Sequence, residues 1–214
     1  MEKVVKISPS LLAADPNCLG SELKKVEDAG AQMIHLDIMD GHFVPNLSFG
    51  PDLIKGLRKN SGLIFDVHLM LSDPIDYIDA FANAGADIIT FHVEANSDIK
   101  ECIDKIHSHG IKAGLVIKPD TEATEYLKYI NDIEMILIMS VYPGFGGQKF
   151  IPRVLPKASE IRAAAGPDFD IEIDGGITLE NYKLALDAGV NVLVAGSSIY
   201  NAEDPAAVIK EMMA

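Results

Sequence analysis

The chain has 214 residues, 48% of them hydrophobic and 23% charged, a balance that suits a folded core and excludes a disordered segment. Its net charge of −14 argues against a nucleic-acid partner, because holding a phosphate backbone requires a basic surface. No apolar run reaches the roughly 18 residues of a membrane span, and Cys18 and Cys102 are too few and scattered for a disulfide framework, so no membrane partner and a reduced, cytoplasmic setting are expected.

The N-terminal Met1-Glu2-Lys3-Val4-Val5-Lys6 enters an extended segment at once, without the long apolar stretch of a secretory leader. Apolar, β-branched runs then recur near 4–9, 33–38, 63–70, 87–93, 112–117, 134–141, 170–174 and 190–195, and each reads as a strand. Amphipathic stretches, such as 19–30, lie between most of them. One join repeats: Asp28-Ala29-Gly30-Ala31, Asn83-Ala84-Gly85-Ala86 and Asp187-Ala188-Gly189-Val190, with Ser108-His109-Gly110-Ile111 in the same part. Each fits a helix closed by a left-handed glycine just ahead of a strand. Strands alternating with helices pair in parallel through right-handed crossovers. Eight of them predict an α/β fold, one (β/α)8 barrel spanning residues 1–214 as a single domain. An open doubly wound sheet would carry a Gly-rich turn after its first strand, where this chain has Pro9-Ser10-Leu11-Leu12-Ala13.

Barrel active sites lie at the carboxyl ends of the strands, and residues two apart in a strand share a face. His35, Asp37 and Met39 therefore face one way at the end of the second strand, and His68 and Met70 at the end of the third. Met139 ends the sixth strand and Asp174 the seventh. A single inward histidine is more often a hydrogen-bonded core residue than a ligand. His35, Asp37, His68 and Asp174 at one mouth instead form a nitrogen and oxygen set suited to one divalent metal ion, Zn²⁺, Fe²⁺, Mn²⁺ or Co²⁺, better than to Ca²⁺. Asp40 has the opposite parity to Asp37 and reads as a turn or capping residue, His42 fits either site or loop, and His107 and His109 read as surface residues. His92 and Glu94 fit either support for the ligands or plain barrel packing.

Two carboxylates beside a Lewis acid suit removal of a proton from one face of a planar enediolate and its return at the other. No dinucleotide fingerprint points to redox chemistry instead. Met39, Met70 and Met139 fit either a soft, dry lining for such a site or ordinary core packing. Gly144, Gly146 and Gly147, with Gly175, Gly176, Gly196 and Ser197 after the last two strands, offer backbone N–H groups to a phosphate.

Those residues resemble the ribulose-phosphate 3-epimerase family over nearly the whole chain, from Ile7-Ser8-Pro9-Ser10-Leu11-Leu12 to Ala195-Gly196-Ser197-Ser198-Ile199. The most specific stretches are His35-Leu36-Asp37-Ile38-Met39-Asp40-Gly41-His42-Phe43-Val44-Pro45-Asn46, Asp66-Val67-His68-Leu69-Met70, and 139–150 with its Pro143-Gly144-Phe145-Gly146-Gly147. The resemblance implies interconversion of D-ribulose 5-phosphate and D-xylulose 5-phosphate in the pentose phosphate pathway. It implies His35, Asp37, His68 and Asp174 as ligands of the metal, with Asp37 as proton acceptor and Asp174 as donor, their roles exchanging with direction. It adds Ser10 as a substrate contact and the Gly144-Phe145-Gly146-Gly147 loop, Gly175, Gly176, Gly196 and Ser197 as phosphate contacts. His68, Met39, Met70, Met139 and Asp174 complete the expected substrate set. The expected partners are a small sugar phosphate and, in a homo-oligomer, further copies of the chain.

Tyr142 departs from the family's smaller polar or acidic residue before Pro143, and is expected either to alter substrate length preference or to cover the mouth. An allulose 6-phosphate 3-epimerase shares the chemistry but would more typically read Gly-Phe-Ala-Gly and Asp-Gly-Ser at the glycine motifs. Orotidine-phosphate decarboxylase types need Asp-x-Lys-x-x-Asp, and Asp37-Ile38-Met39-Asp40 has no lysine. Amidohydrolase types need His-x-His on an early strand, where this chain has His-x-Asp. A non-catalytic barrel that senses sugar phosphate or metal is a further alternative, against which the two carboxylates speak.

Overall fold

A computed structural model describes residues 4–214; Met1, Glu2 and Lys3, the start of the segment read as leading into the first strand, lie outside the described residues. Eight strands follow one another as β1 (Lys6–Pro9), β2 (Met33–Met39), β3 (Ile64–Met70), β4 (Ile88–His92), β5 (Lys112–Ile117), β6 (Met135–Met139), β7 (Asp170–Asp174) and β8 (Val192–Ala195). Each is parallel to its sheet neighbours, in the order β1-β8-β7-β6-β5-β4-β3-β2. A bridge between Ser10 and His35 draws β1 to β2 and closes the ring. The fold is the (β/α)8 barrel expected, with every strand boundary within two residues of its apolar run. The run at 134–141 overshoots because the chain turns after Met139, where the Ser140 hydroxyl donates to the carbonyls of Asp174 and Gly175.

The helices are α1 (Leu19–Asp28), α2 (Pro51–Arg58), α3 (Ile78–Ala84), α4 (Ile99–Ser108), α5 (Leu155–Ala165), α6 (Tyr182–Ala188), α7 (Ser197–Tyr200) and α8 (Pro205–Met212). Their starts follow capping chemistry: the Asp98 carboxylate accepts from the Glu101 N–H at α4, and Asp204 accepts from the Ala207 N–H ahead of Pro205 at α8. All four expected glycine joins are left-handed, with φ of 96°, 106°, 72° and 114° at Gly30, Gly85, Gly110 and Gly189. The crossover from β5 to β6 carries no α-helix, only 3₁₀ turns at Ala123–Glu125 and Leu127–Tyr129. The start of that segment is held from α5, where buried Lys157 donates to the carbonyl oxygens of Lys118, Pro119 and Thr121.

Outward strand residues such as Ile7, Leu36, Val67 and Ile138 pack against the helices in one continuous core. Inside the ring, Met33, Ile88, Met135 and Val192 plug the amino end. The carboxyl end is filled by histidines and carboxylates instead, and it opens into a cavity. Among the described residues no helix is long and apolar enough to cross a membrane.

Candidate active site

β2 and β3 run in register, with Asp37 beside His68 and His35 beside Asp66. Alternation sends His35, Asp37 and His68 into the ring, each less than 5% exposed. His35 Nε2 lies 3.2 Å from His68 Nδ1, and Asp37 Oδ1 lies 3.4 Å from the first nitrogen and 3.3 Å from the second. A carboxylate oxygen of Asp174, at the end of β7, joins them, so that four donor atoms from four side chains lie within 4.8 Å of one another. Facing imidazole nitrogens beside a carboxylate need a cation between them, either a proton or a metal. The three separations match the about 3.3 Å between donors around a tetrahedral divalent ion with bonds of about 2.0–2.1 Å. The residues fit the group, and the cluster can bind a metal ion.

The electrostatics agree. Burial disfavours a charged His35, yet the Asp66 and then the Asp37 carboxylates raise its pKa well above the ordinary imidazole value. Burial likewise works against the Asp37 charge, and His35 and His68 outweigh it to hold that carboxyl well below the usual carboxylate range. At Asp174 the balance reverses: burial first, then the charge of Asp37, outweigh the pull of His35 and push its pKa up to about 7. The pKa values of two neighbouring carboxyl groups are thereby driven in opposite directions.

Behind the cluster stand residues that the sequence reasoning passed over. Asp66 Oδ2 is 2.6 Å from His35 Nδ1, and Glu172 Oε1 is 3.7 Å from the same nitrogen. Both acids are fully buried. Asp66 Oδ1 and both Glu172 oxygens have no hydrogen-bond partner among the described residues, nor do the hydroxyls of Ser8 and Thr90. Burial, reinforced by the Asp66 charge, raises the Glu172 pKa well above the usual range. A signal for them existed: each stands two residues before a site residue on the same strand and so shares its inward face. His92 and Glu94 extend from the cluster in a hydrogen-bonded line. His92 Nε2 is 3.0 Å from His68 Nε2, and His92 Nδ1 is 3.0 Å from Glu94 Oε2.

Over the cluster opens a cavity of about 370 Å³. Ser10, Asp37, Met39, Met70, Met139 and Asp174 line it, as do Gly144, Phe145, Gly146, Gly147, Gly175, Gly176, Gly196 and Ser197. His35 and His68 do not line it; they lie beneath. The Ser10 hydroxyl donates to Asp37 Oδ2. Along the rim, the N–H groups of Gly176, Gly196 and Ser197 meet no protein acceptor among the described residues, and α7 begins at Ser197. Unpaired backbone donors at a rim are what an anion such as a phosphate requires. Gly176, at φ 67°, passes so close to the neighbouring loop that a Cβ would sit 2.5 Å from the Phe150 nitrogen.

Tyr142 does not line the cavity, although its neighbours Val141 and Pro143 do. Its hydroxyl donates to Asp120 Oδ2 at 2.8 Å, in company with Arg153. Asp40 is the turn residue expected, accepting from the N–H groups of His42, Phe43 and Ser72. His42 belongs to that exposed turn, and His107 and His109 are exposed at the end of α4, paired with Glu134 and Asp79.

Fold and site together define a (β/α)8 barrel enzyme with a histidine–carboxylate cluster, able to take a metal, under a glycine-rimmed cavity. The chain belongs to the ribulose-phosphate 3-epimerase family, whose pattern matches residues 6–200. A ribulose-phosphate 3-epimerase from Bacillus subtilis is 45% identical over 213 residues, covering 98% of each chain. A cytoplasmic isoform from Oryza sativa subsp. japonica is 42% identical over 211 residues, covering 97% of this chain and 92% of its own. Among solved structures, a 3-hexulose-6-phosphate synthase superposes with a TM-score of 0.68 over 98% of both chains at 19% identity, a likeness of fold alone.

Proposed function

We propose that this epimerase inverts C3 of D-ribulose 5-phosphate to give D-xylulose 5-phosphate, with Asp37 and Asp174 as the two proton-transferring groups. The observation that carries the reading is that both carboxyls reach the floor of one cavity while their environments drive their pKa values in opposite directions. His35, Asp37, His68 and Asp174 would hold one divalent ion, Zn²⁺, Fe²⁺, Mn²⁺ or Co²⁺. When bound, such an ion supplies Lewis-acid polarisation of the ketone, which acidifies the adjacent C–H.

The remaining steps belong to the chain's own side chains. The ionised Asp37 takes the C3 proton from one face, and the protonated Asp174 delivers a proton to the other. Ser10 holds the second oxygen of Asp37 so that the first stays turned inward. Met39, Met70 and Met139 enclose the flattened intermediate in soft apolar surface that excludes water. The N–H groups of Gly176, Gly196 and Ser197, with the Gly144–Gly147 loop, orient the substrate by its phosphate.

Gly144-Phe145-Gly146-Gly147 and Asp174-Gly175-Gly176 favour the pentulose over allulose 6-phosphate. Comparison of kcat/KM on the two substrates tests this, and preference for the hexulose would reverse it. Chelation is expected to abolish activity and added divalent ions to restore it. A verified metal-free preparation with full activity would exclude the metal role. Turnover of either sugar would also dispose of a non-catalytic sensor. The same reading takes residues 1–214 as one domain, acting in the cytoplasm as a homo-oligomer; the name of the Oryza sativa relative supports the compartment, and sedimentation of the purified chain reads the assembly.

A further inference from the structure

We propose that Glu94 and His92 are positioning residues that fix the ring tautomer of His68 through a hydrogen-bonded relay, leaving His68 Nδ1 bare toward the ligand cluster. The relay deepens the metal-site reading above and rests on it for its function, though its geometry stands alone.

Both oxygens of Glu94 are committed. Oε1 accepts from the Lys118 N–H at 2.9 Å and from the Thr121 hydroxyl, and Oε2 faces His92 Nδ1 at 3.0 Å. A carboxyl group accepting from two donors on one oxygen and facing a ring nitrogen with the other is the ionised form. An ionised carboxylate only accepts, so His92 Nδ1 carries a hydrogen and donates it. His92 is buried, 1% exposed, with the Phe43 ring packed against it and, beyond Glu94, only another imidazole as its polar partner among the described residues, a setting that holds the ring neutral. A neutral imidazole with Nδ1–H has a bare Nε2. That nitrogen lies 3.0 Å from His68 Nε2, which must therefore be the donor. His68 is left with Nδ1 unprotonated, 3.3 Å from Asp37 Oδ1 and 3.2 Å from His35 Nε2.

Packing keeps the relay in line. The Phe43 ring packs against His92 at a tilt of 44° with centroids 4.7 Å apart, and Lys118 Nζ sits 3.9 Å from the Phe43 centroid. His35 has a shorter version of the same support, its Nδ1 hydrogen bonded to Asp66. Each histidine of the cluster thus has an acid at the far end of its ring, one directly and one through a second histidine. Partners of this kind fix ligand tautomers, and losing one typically weakens metal binding about 10–100-fold.

Nitrogen-15 correlation spectra of the full chain, zinc-loaded, read the tautomers without any substitution. The expected pattern is a proton on Nε2 of His68 and on Nδ1 of His92; a proton on His68 Nδ1 overturns the relay. Zinc competition titrations then test its consequence. His92→Phe keeps a ring but removes the acceptor and is expected to weaken zinc binding about 10–100-fold, and His92→Gln, whose carbonyl can accept from His68, is expected to recover much of it. Glu94→Ala is expected to resemble His92→Phe in direction. Zinc affinities unchanged from wild type in both His92→Phe and Glu94→Ala would refute the relay while leaving the metal site intact. Failure of the wild-type chain itself to bind zinc or any other divalent ion would instead remove the metal-site reading.

Discussion

The Ser10 hydroxyl donates to Asp37 Oδ2 at 2.7 Å across the seam where β1 meets β2. One residue thereby closes the barrel through its backbone and fixes the proposed base through its side chain. A hydrogen bond to a charged group is worth about 1.5–3 kcal/mol. Ser10→Ala is therefore expected to lower kcat/KM about 10–100-fold, measured by steady-state epimerisation, with the fold retained by circular dichroism. A loss under twofold would mean that Asp37 needs no such support.

Gly176 is a place where one carbon atom should be costly. A Cβ there meets the Phe150 nitrogen at 2.5 Å and the Gln148 carbonyl oxygen at 2.7 Å, on a left-handed backbone. Gly176→Ala is expected to destabilise the protein by about 1–3 kcal/mol and to raise KM, because the displaced N–H belongs to the proposed phosphate rim. Thermal melts and substrate saturation curves check the two effects separately.

Tyr142 gives the opposite expectation. Its hydroxyl donates to Asp120 beside Arg153, and the residue is half exposed. Tyr142→Phe should leave kcat/KM on pentulose and hexulose phosphates within about twofold, as exposed substitutions usually do. A changed ratio between the two substrates would restore it as a specificity residue.

His92 predicts a pH dependence of stability. Its folded pKa of about 4 lies below the ordinary 6.5, chiefly through burial. Between those values the unfolded chain binds a proton that the folded chain does not, so stability falls as pH drops through the window. The full effect is roughly 3 kcal/mol. Urea melts of the chelated protein at pH 7 and pH 4.5 should show the loss, and His92→Gln should show less of it. Glu94 adds its own loss only below its ordinary 4.5 and down toward about 2.

Much of this was legible in the chain itself. Strand positions follow from β-branched runs because buried parallel strands need them, and the helix ends follow from glycines because few other residues tolerate a left-handed turn. Period two also told which side of β2, β3 and β7 faces inward. It did not tell how deep each inward residue sits, which depends on strand tilt and register around the closed ring. That is why Asp66 and Glu172 escaped notice although they share faces with His68 and Asp174. The direction of Tyr142 was equally hidden, since of its partners Asp120 comes from the connection after β5 and Arg153 from the far end of its own connection. The start of the helix-free connection between β5 and β6 is held by Lys157, nearly forty residues downstream, a contact no local pattern reveals.

The exchange of protons by Asp37 and Asp174 is tested most directly by turnover in D₂O, with the product examined by proton and deuterium NMR. Carboxyl groups equilibrate with solvent, so the epimerised pentulose phosphate is predicted to carry deuterium at C3. Epimerised product that keeps its original hydrogen at C3 and takes none from solvent would contradict transfer through these two side chains.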